Sequence, residues 1–242
     1  MTSSNKARPL PQKVIGILGG MSSQATAEYY RMLNARMTAR LGGWDTAEIV
    51  TVSVNFGNIE HFVRNALWAE AEAYLAGKLD RLERAGADVI LCASNTMHRV
   101  VAPAMEGRAT PFLHIADPAG DALRRAGLSR AGLLGTLPVM QSGALRRRYR
   151  ERFGIEILVP PGDGQQEVDR IIFDELVHGA LNPGSKAAYL RIAAALQARG
   201  AQALILGCTE ICLLIGQDDL PGLPVFDTTS LHVDAALAFA LG

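Results

Sequence analysis

The sequence has 242 residues, of which 49% are hydrophobic and 20% are charged, which is enough apolar material for one or two α/β domains. Lysine plus arginine and aspartate plus glutamate each total 24, so neither nucleic acid nor an anionic membrane is an expected partner. The polar start predicts a disordered tail over residues 1–12. With no run of about 18 apolar residues, we expect no membrane span, a cytoplasmic protein and a small-molecule ligand.

Short apolar runs alternate along the chain with longer segments of helical period, a pattern typical of βαβ units with parallel strands. The predicted strands cover residues 14–18, 48–54, 89–92, 112–115, 131–134, 155–159, 203–206 and 223–226. Two stripes with helical spacing are predicted to face a core: Tyr30, Leu33, Met37 and Leu41, and then Leu67, Ala71, Tyr74, Leu75, Leu79 and Leu82.

The sequence also repeats itself once. Three patterns recur in the same order and at nearly constant spacing: VIGILGGM and AGLLGT at Gly16 and Gly132, GADVILCASN and GAQALILGCT at Gly86 and Gly200, and PFLHIAD and PVFDTT at Pro111 and Pro224. The repeat predicts an α/β fold of two pseudo-symmetric parallel-sheet domains with the active site in the cleft between them. We expect the first domain to cover residues 13–115 plus 226–242, and the second to cover 116–225.

Ligands of parallel sheets bind at the carboxyl ends of the strands, so the residues that follow each run are the candidate site. Cys208 follows a predicted strand and precedes TEICLL, where the positive end of a helix would lower the thiol pKa toward neutrality, as a general base requires. Its counterpart in the first repeat is Ser94. Two opposed proton-transfer groups are what inversion at a carbon needs.

Short polar side chains surround both positions. Asn95, Thr96 and Thr209 are suited to holding an α-carboxylate and stabilising the carbanion formed from it. The GGM segment places Gly20 and Met21 between a strand and a helix that starts near Ser22, an arrangement common at anion sites. We therefore predict substrate contacts from all of these residues.

Other chemistries find little support in the sequence. The three cysteines form no CxxC pattern, the histidines show no HxxxH spacing, and none of the lysines directly follows a core strand. We predict neither pyridoxal phosphate nor a metal. The basic run over residues 144–153 is interpreted as a solvated or subunit-contacting face, and a homodimer is the candidate assembly.

GGM, SNTMH, LLGT and GCTEI occur in this order, and from about residue 13 to its end the sequence resembles the aspartate/glutamate racemase family. The resemblance implies a cofactor-independent isomerase that uses two cysteines as acid and base. Carried onto this chain, those positions are Ser94 and Cys208, so only the second cysteine is present. Members with threonine at the first position share the NTMH that follows.

The resemblance also implies substrate-binding roles for Thr136 and for His178, which stands where relatives have a lysine. An arginine that holds the side-chain carboxylate in stricter aspartate racemases has no counterpart in NFGNIEHF from Asn55. This favours a broader acidic or polar amino acid as substrate, with aspartate or glutamate as the first expectation. Two alternatives stay open, a single-cysteine decarboxylase of the same superfamily and a two-lobed protein that binds an amino acid without chemistry.

Overall fold

In this computed structural model, residues 10–242 are described and contain eight β-strands and ten α-helices. The strands are β1 (Ile15–Gly19), β2 (Ile49–Ser53), β3 (Val89–Cys92), β4 (Phe112–Leu113), β5 (Arg130–Gly135), β6 (Glu156–Leu158), β7 (Ala203–Gly207) and β8 (Val225–Asp227). The helices are α1 (Ser23–Leu41), α2 (Phe56–Arg64), α3 (Trp68–Arg84), α4 (His98–Ala104), α5 (Ala116–Arg125), α6 (Leu137–Met140), α7 (Gly143–Phe153), α8 (Gly162–Asp174), α9 (Pro183–Ala198) and α10 (Thr228–Leu241). Single 3-10 turns cover Leu176–His178, Ile211–Leu213 and Gln217–Asp219.

Every predicted strand overlaps an observed one, and the strands form two parallel four-stranded sheets with the orders β2-β1-β3-β4 and β6-β5-β7-β8. The identical order confirms the predicted α/β fold class and the internal repeat at the level of topology. Of the expected tail, residues 1–9 lie outside the described residues, while the Gln12 side chain donates a hydrogen bond to the Thr46 carbonyl at 2.9 Å.

The first sheet is built around β1, all five residues of which are buried. Ile17 lies opposite Thr51 of β2 and Leu91 of β3 in parallel register. A strand flanked on both sides and covered by helices is apolar throughout, which explains the continuous run VIGIL rather than an alternating one.

Helix α1 covers the first sheet with a stripe that differs in part from the prediction. Tyr29, Leu33 and Met37 are fully buried, whereas Tyr30 is 58% exposed. The prediction that Tyr30 faces the core is therefore wrong, because the buried stripe starts one residue earlier and continues at intervals of four. Four residues of the second predicted stripe are buried in α3, as expected: Ala71, Leu75, Leu79 and Leu82.

The second sheet has β5 and β7 at its centre, and helices cover both faces. One hydrophobic cluster joins α8 and α9 to the sheet through residues such as Ile171, Tyr189 and Leu204. The other joins α5 and α7 through Leu123, Tyr149 and others. The burial of apolar side chains on both faces stabilises a parallel sheet of this kind.

The chain divides into two compact units that differ slightly from the expected domains. Of the described residues, one contains residues 10–93 together with Val100–Leu113 and Val233–Gly242. The other contains Ser94–Arg99 and His114–His232. A hydrogen bond joins the short segment Ser94–Arg99 to the rest of the second unit: Ile115 N–H donates to the His98 ring. Within the longer segment, the Thr228 hydroxyl donates to the Leu206 carbonyl. None of the helices within residues 10–242 is long and apolar enough to cross a bilayer.

Candidate active site

The carboxyl edge of the second sheet brings several of the predicted residues together. Gly135 of β5 and Gly207 of β7 are register partners, and a Cβ on Gly135 would lie 2.8 Å from the Gly207 carbonyl oxygen. Thr136 and Cys208 are the residues that directly follow these two paired strands. Because β6 pairs on one side of β5 and β7 on the other, the chain connections diverge here, and such a switch point is where α/β sheets bind ligands.

The segment after β3 joins this edge through side-chain hydrogen bonds. Asn95 Nδ2 donates to Thr228 Oγ1 at 3.1 Å, and Thr228 Oγ1 donates to the Leu206 carbonyl at 2.8 Å, two residues before Cys208. Thr96 and Thr136 share a hydrogen bond of 2.9 Å between their hydroxyls. Ser94 is 7% exposed, and its Oγ accepts the Met97 N–H at 3.4 Å.

Cys208 lies in a buried polar pair that the sequence did not predict. Its Sγ donates to Glu210 Oε2 at 3.1 Å, and Thr209 Oγ1 donates to the same oxygen at 2.6 Å. Glu210 itself is only 4% exposed. A thiol, a hydroxyl and a carboxylate therefore share one hydrogen-bonded cluster immediately after β7.

The expected depression of the Cys208 pKa is wrong. Burial raises the pKa of this thiol well above its usual value, and the charge of the Glu210 carboxylate raises it further. The predicted helix is also absent, because only the 3-10 turn Ile211–Leu213 follows, and a single short turn has little dipole to offer. Cys208 is thus held as a neutral thiol whose proton points at a carboxylate.

Gly20 and Met21 belong to the first unit, where the structure gives the GGM segment a clear local role. Gly20 has φ +87°, and a Cβ there would lie 2.2 Å from the Val54 carbonyl oxygen, so only glycine fits. Its N–H already donates to Thr26 Oγ1 at 2.7 Å. Ser22 caps α1 by accepting the Ala25 N–H. The role of Gly20 and Met21 in substrate binding stays a prediction.

His178 ends the 3-10 turn Leu176–His178 and is exposed. Within residues 10–242, no hydrogen bond joins its ring to the other candidate residues. Its contribution to substrate binding also stays a prediction.

The structure adds Glu210, Thr228 and His98 to the candidate site. These three residues lie in the segments GCTEI, PVFDTT and SNTMH, which the sequence analysis had already singled out, so their sequence positions could have suggested them.

A cluster of three histidines lies beside the segment that carries Ser94. The His98 and His114 ring centroids are 4.7 Å apart, and those of His98 and His232 are 6.0 Å apart. Desolvation is the largest cause of the lowered pKa values of both His98 and His114, and the pKa of His114 falls to about 3. The positive charge of Arg148, which pairs with Asp117 at 2.5 Å, lowers both further. These two imidazoles are neutral in the folded protein near pH 7.

This cluster makes stability depend on pH. Between about pH 6.5 and the depressed folded pKa values, the unfolded chain binds protons that the folded protein excludes, so stability falls as the pH falls. We expect the His114 imidazole to remove about 2 kcal/mol of unfolding free energy between pH 7 and pH 5, and the His98 imidazole to act in the same direction. Urea unfolding across this range measures the effect. His114→Phe keeps a ring in place and should flatten the dependence by about one proton, and an unchanged slope would contradict the assignment.

The fold and the edge of the second sheet define a class of protein: a duplicated α/β protein with a thiol and hydroxyl groups at the ends of its strands. Comparison with known proteins names the family. The model for Asp/Glu/hydantoin racemases matches residues 18–236, and the chain belongs to that family.

Solved structures agree with this assignment. A candidate Asp/Glu racemase from Yersinia pestis is 40% identical with a TM-score of 0.87, and an aspartate racemase homologue from Pyrococcus horikoshii is 30% identical with a TM-score of 0.81. Each alignment covers 95% of this chain and 100% of the other. A glutamate racemase from Francisella tularensis, solved with D-glutamate, shares the fold at 15% identity and a TM-score of 0.68, covering 95% and 81% of the two chains.

Proposed function

We propose that this protein is a cofactor-independent racemase that inverts the α-carbon of an amino acid, with aspartate or glutamate as the first substrates to test. The observation that carries the proposal is the buried Cys208–Glu210 pair at the switch point of the second sheet. Membership of the racemase family supports the same conclusion. A cytoplasmic location and a homodimer remain part of the proposal.

In the proposed mechanism, Cys208 gives its proton to Glu210, and the resulting thiolate removes the proton from Cα. Ser94 donates its hydroxyl proton to the other face of the carbanion, which completes inversion. The serine alkoxide then takes a proton from solvent while Glu210 releases one, so the protons balance over the cycle. The Met97 N–H that points at Ser94 Oγ would stabilise the alkoxide while it exists.

The hydroxyl and amide groups around the pair bind the substrate in this proposal. Asn95, Thr96, Thr136 and Thr209 are the residues we assign to the α-carboxylate and to the carbanion, since neutral donors stabilise developing negative charge without a competing cation. Gly20, Met21 and His178 are proposed to complete the binding set. Because NFGNIEHF has no counterpart of the arginine that holds the side-chain carboxylate in stricter aspartate racemases, we propose a broad specificity for acidic and polar amino acids.

Incubation with separate L- and D-amino acids in deuterated water tests the proposal. A racemase produces the opposite enantiomer and carries deuterium at Cα. A decarboxylase, which the single cysteine of the pair keeps open, would release carbon dioxide and leave one enantiomer of the product. Binding without exchange, inversion or carbon dioxide release would favour a non-catalytic binding protein and contradict both the racemase and the decarboxylase hypotheses.

Glu210 has a separate expected signature. Glu210→Gln removes the negative charge and the proton acceptor beside Cys208, so the thiol pKa should fall while proton abstraction slows by about 100-fold or more. The pH dependence of Cys208 alkylation and the rate of deuterium exchange measure the two effects. Glu106→Gln, at an exposed carboxylate, is the control. An unchanged exchange rate in Glu210→Gln would remove Glu210 from the mechanism.

A further inference from the structure

The turn that carries Ser94 is held by a side chain rather than by helix backbone bonds. The Ser94 carbonyl lies 2.7 Å from His98 Nδ1. The backbone N–H groups of His98 and Arg99 reach back only three residues, to Asn95 and Thr96, at 3.3 Å each. Residues 95–97 therefore form a tight turn ahead of α4, and the His98 ring supplies the bond to Ser94.

The other nitrogen of the same ring is also engaged. Ile115 N–H, one residue before α5, donates to His98 Nε2 at 3.1 Å. A backbone N–H can only donate and a carbonyl can only accept, so Nε2 must be the acceptor and Nδ1 must carry the hydrogen. Protonation of Nε2 would set two N–H groups against each other.

The ring has little freedom to leave this position. His98 is 5% exposed and packs against the rings of His114 and His232. His114 is itself fixed by accepting the Ala116 N–H at 3.2 Å. The imidazole is therefore a rigid link between the start of α5 and the peptide of Ser94.

We propose that His98 is a positioning residue for Ser94: its neutral Nδ1–H form fixes the Ser94 peptide and thereby the direction of the hydroxyl that returns the proton to Cα. This inference rests on the proposed function, because Ser94 has a direction to keep only if it transfers a proton. His98 itself neither donates to nor accepts from the substrate.

Two amide substitutions separate the two bonds of the ring. In His98→Asn, the side-chain amide can reach the place of Nδ1 and donate to the Ser94 carbonyl. In His98→Gln, the amide oxygen can reach the place of Nε2 and accept from Ile115, while the bond to Ser94 is lost. Both variants lose the ring and its packing, so packing alone predicts similar losses in the two.

The readout is the ratio of inversion to deuterium exchange with retention, measured on the enantiomer that Cys208 deprotonates. Misplaced Ser94 leaves exchange by Cys208 running while inversion falls, so we expect His98→Gln to lower the ratio by about 10-fold or more and His98→Asn to keep it within about twofold. Equal ratios in both variants would overturn the positioning role. His61→Gln, at an exposed histidine of α2, is the control and should match wild type.

Nitrogen NMR of the wild-type histidines gives a second test that needs neither activity nor a folded variant. We expect His98 as the Nδ1–H form without titration between pH 5 and pH 8, and the Nε2–H form or a titrating ring would overturn the inference. The two failures are distinguishable: a wild-type protein that neither exchanges nor inverts any amino acid overturns the proposed function, whereas an active wild type with an unaffected His98→Gln ratio overturns only the role of His98.

Discussion

Replacing Cys208 with serine is expected to lower both inversion and deuterium exchange at Cα by about 1,000-fold or more. The thiol gives its proton to Glu210 in the proposed cycle, whereas a hydroxyl at the same place has a far higher pKa and would not become a base near neutral pH. The change in volume is small, so the core around Ile211 and Leu206 should keep its packing. Turnover of each enantiomer, together with a thermal unfolding curve, measures the two expectations.

Cys212→Ser is the matched control for this variant. Cys212 lies in the same turn, but its Sγ donates to the Thr209 carbonyl at 3.1 Å rather than to Glu210. We expect this variant to retain activity. Full activity in Cys208→Ser, or an equal loss in Cys212→Ser, would remove Cys208 from the mechanism.

The fold was predictable because the apolar runs and the internal repeat of the sequence both indicate the same architecture. Continuous apolar runs marked the buried strands, and the repeat of Gly86 at Gly200 indicated two copies of one topology, as the identical strand orders confirm. The buried face of a helix was predicted less accurately. In α1 the neighbours Tyr29 and Tyr30 are chemically identical, and only tertiary packing decides that the first is buried and the second exposed.

The sequence supplied candidate site residues at the strand ends, but it did not predict the electrostatics around Cys208. Strand ends located Thr136 and Cys208, which follow adjacent strands of the second sheet, and also the turn that follows β3 of the first sheet. The thiol pKa was predicted in the wrong direction because it depends on where the Glu210 side chain points, and no local pattern fixes that. His98 was likewise visible in SNTMH, but its bond to Ile115 crosses 17 residues and needed the folded chain.

The two proton-transfer groups of the proposed mechanism differ in basicity. Cys208 has a carboxylate beside it that can take its proton, whereas the Ser94 hydroxyl, whose oxygen accepts the Met97 N–H, is a much weaker base than a thiolate. In the wild-type protein, the enantiomer that presents its Cα proton to Cys208 should therefore exchange with retention faster than it inverts. The other enantiomer should not.

Ser94→Cys should remove much of this asymmetry and raise the rate of inversion by about 100-fold or more. A thiol with a pKa near 8.5 can serve both as acid and as base, and a well-placed group of this kind contributes about 100-fold to 10,000-fold. Ser94 is buried beside Met97, so the slightly larger sulfur atom replaces the oxygen in a defined position. Inversion and exchange of both enantiomers in deuterated water are the measurements. Ser129→Cys, at an exposed serine, controls for the added thiol. If Ser94→Cys is no faster than wild type, or if wild-type exchange is equal for both enantiomers, Ser94 is not the second proton-transfer group, and the decarboxylase or binding-protein reading gains support.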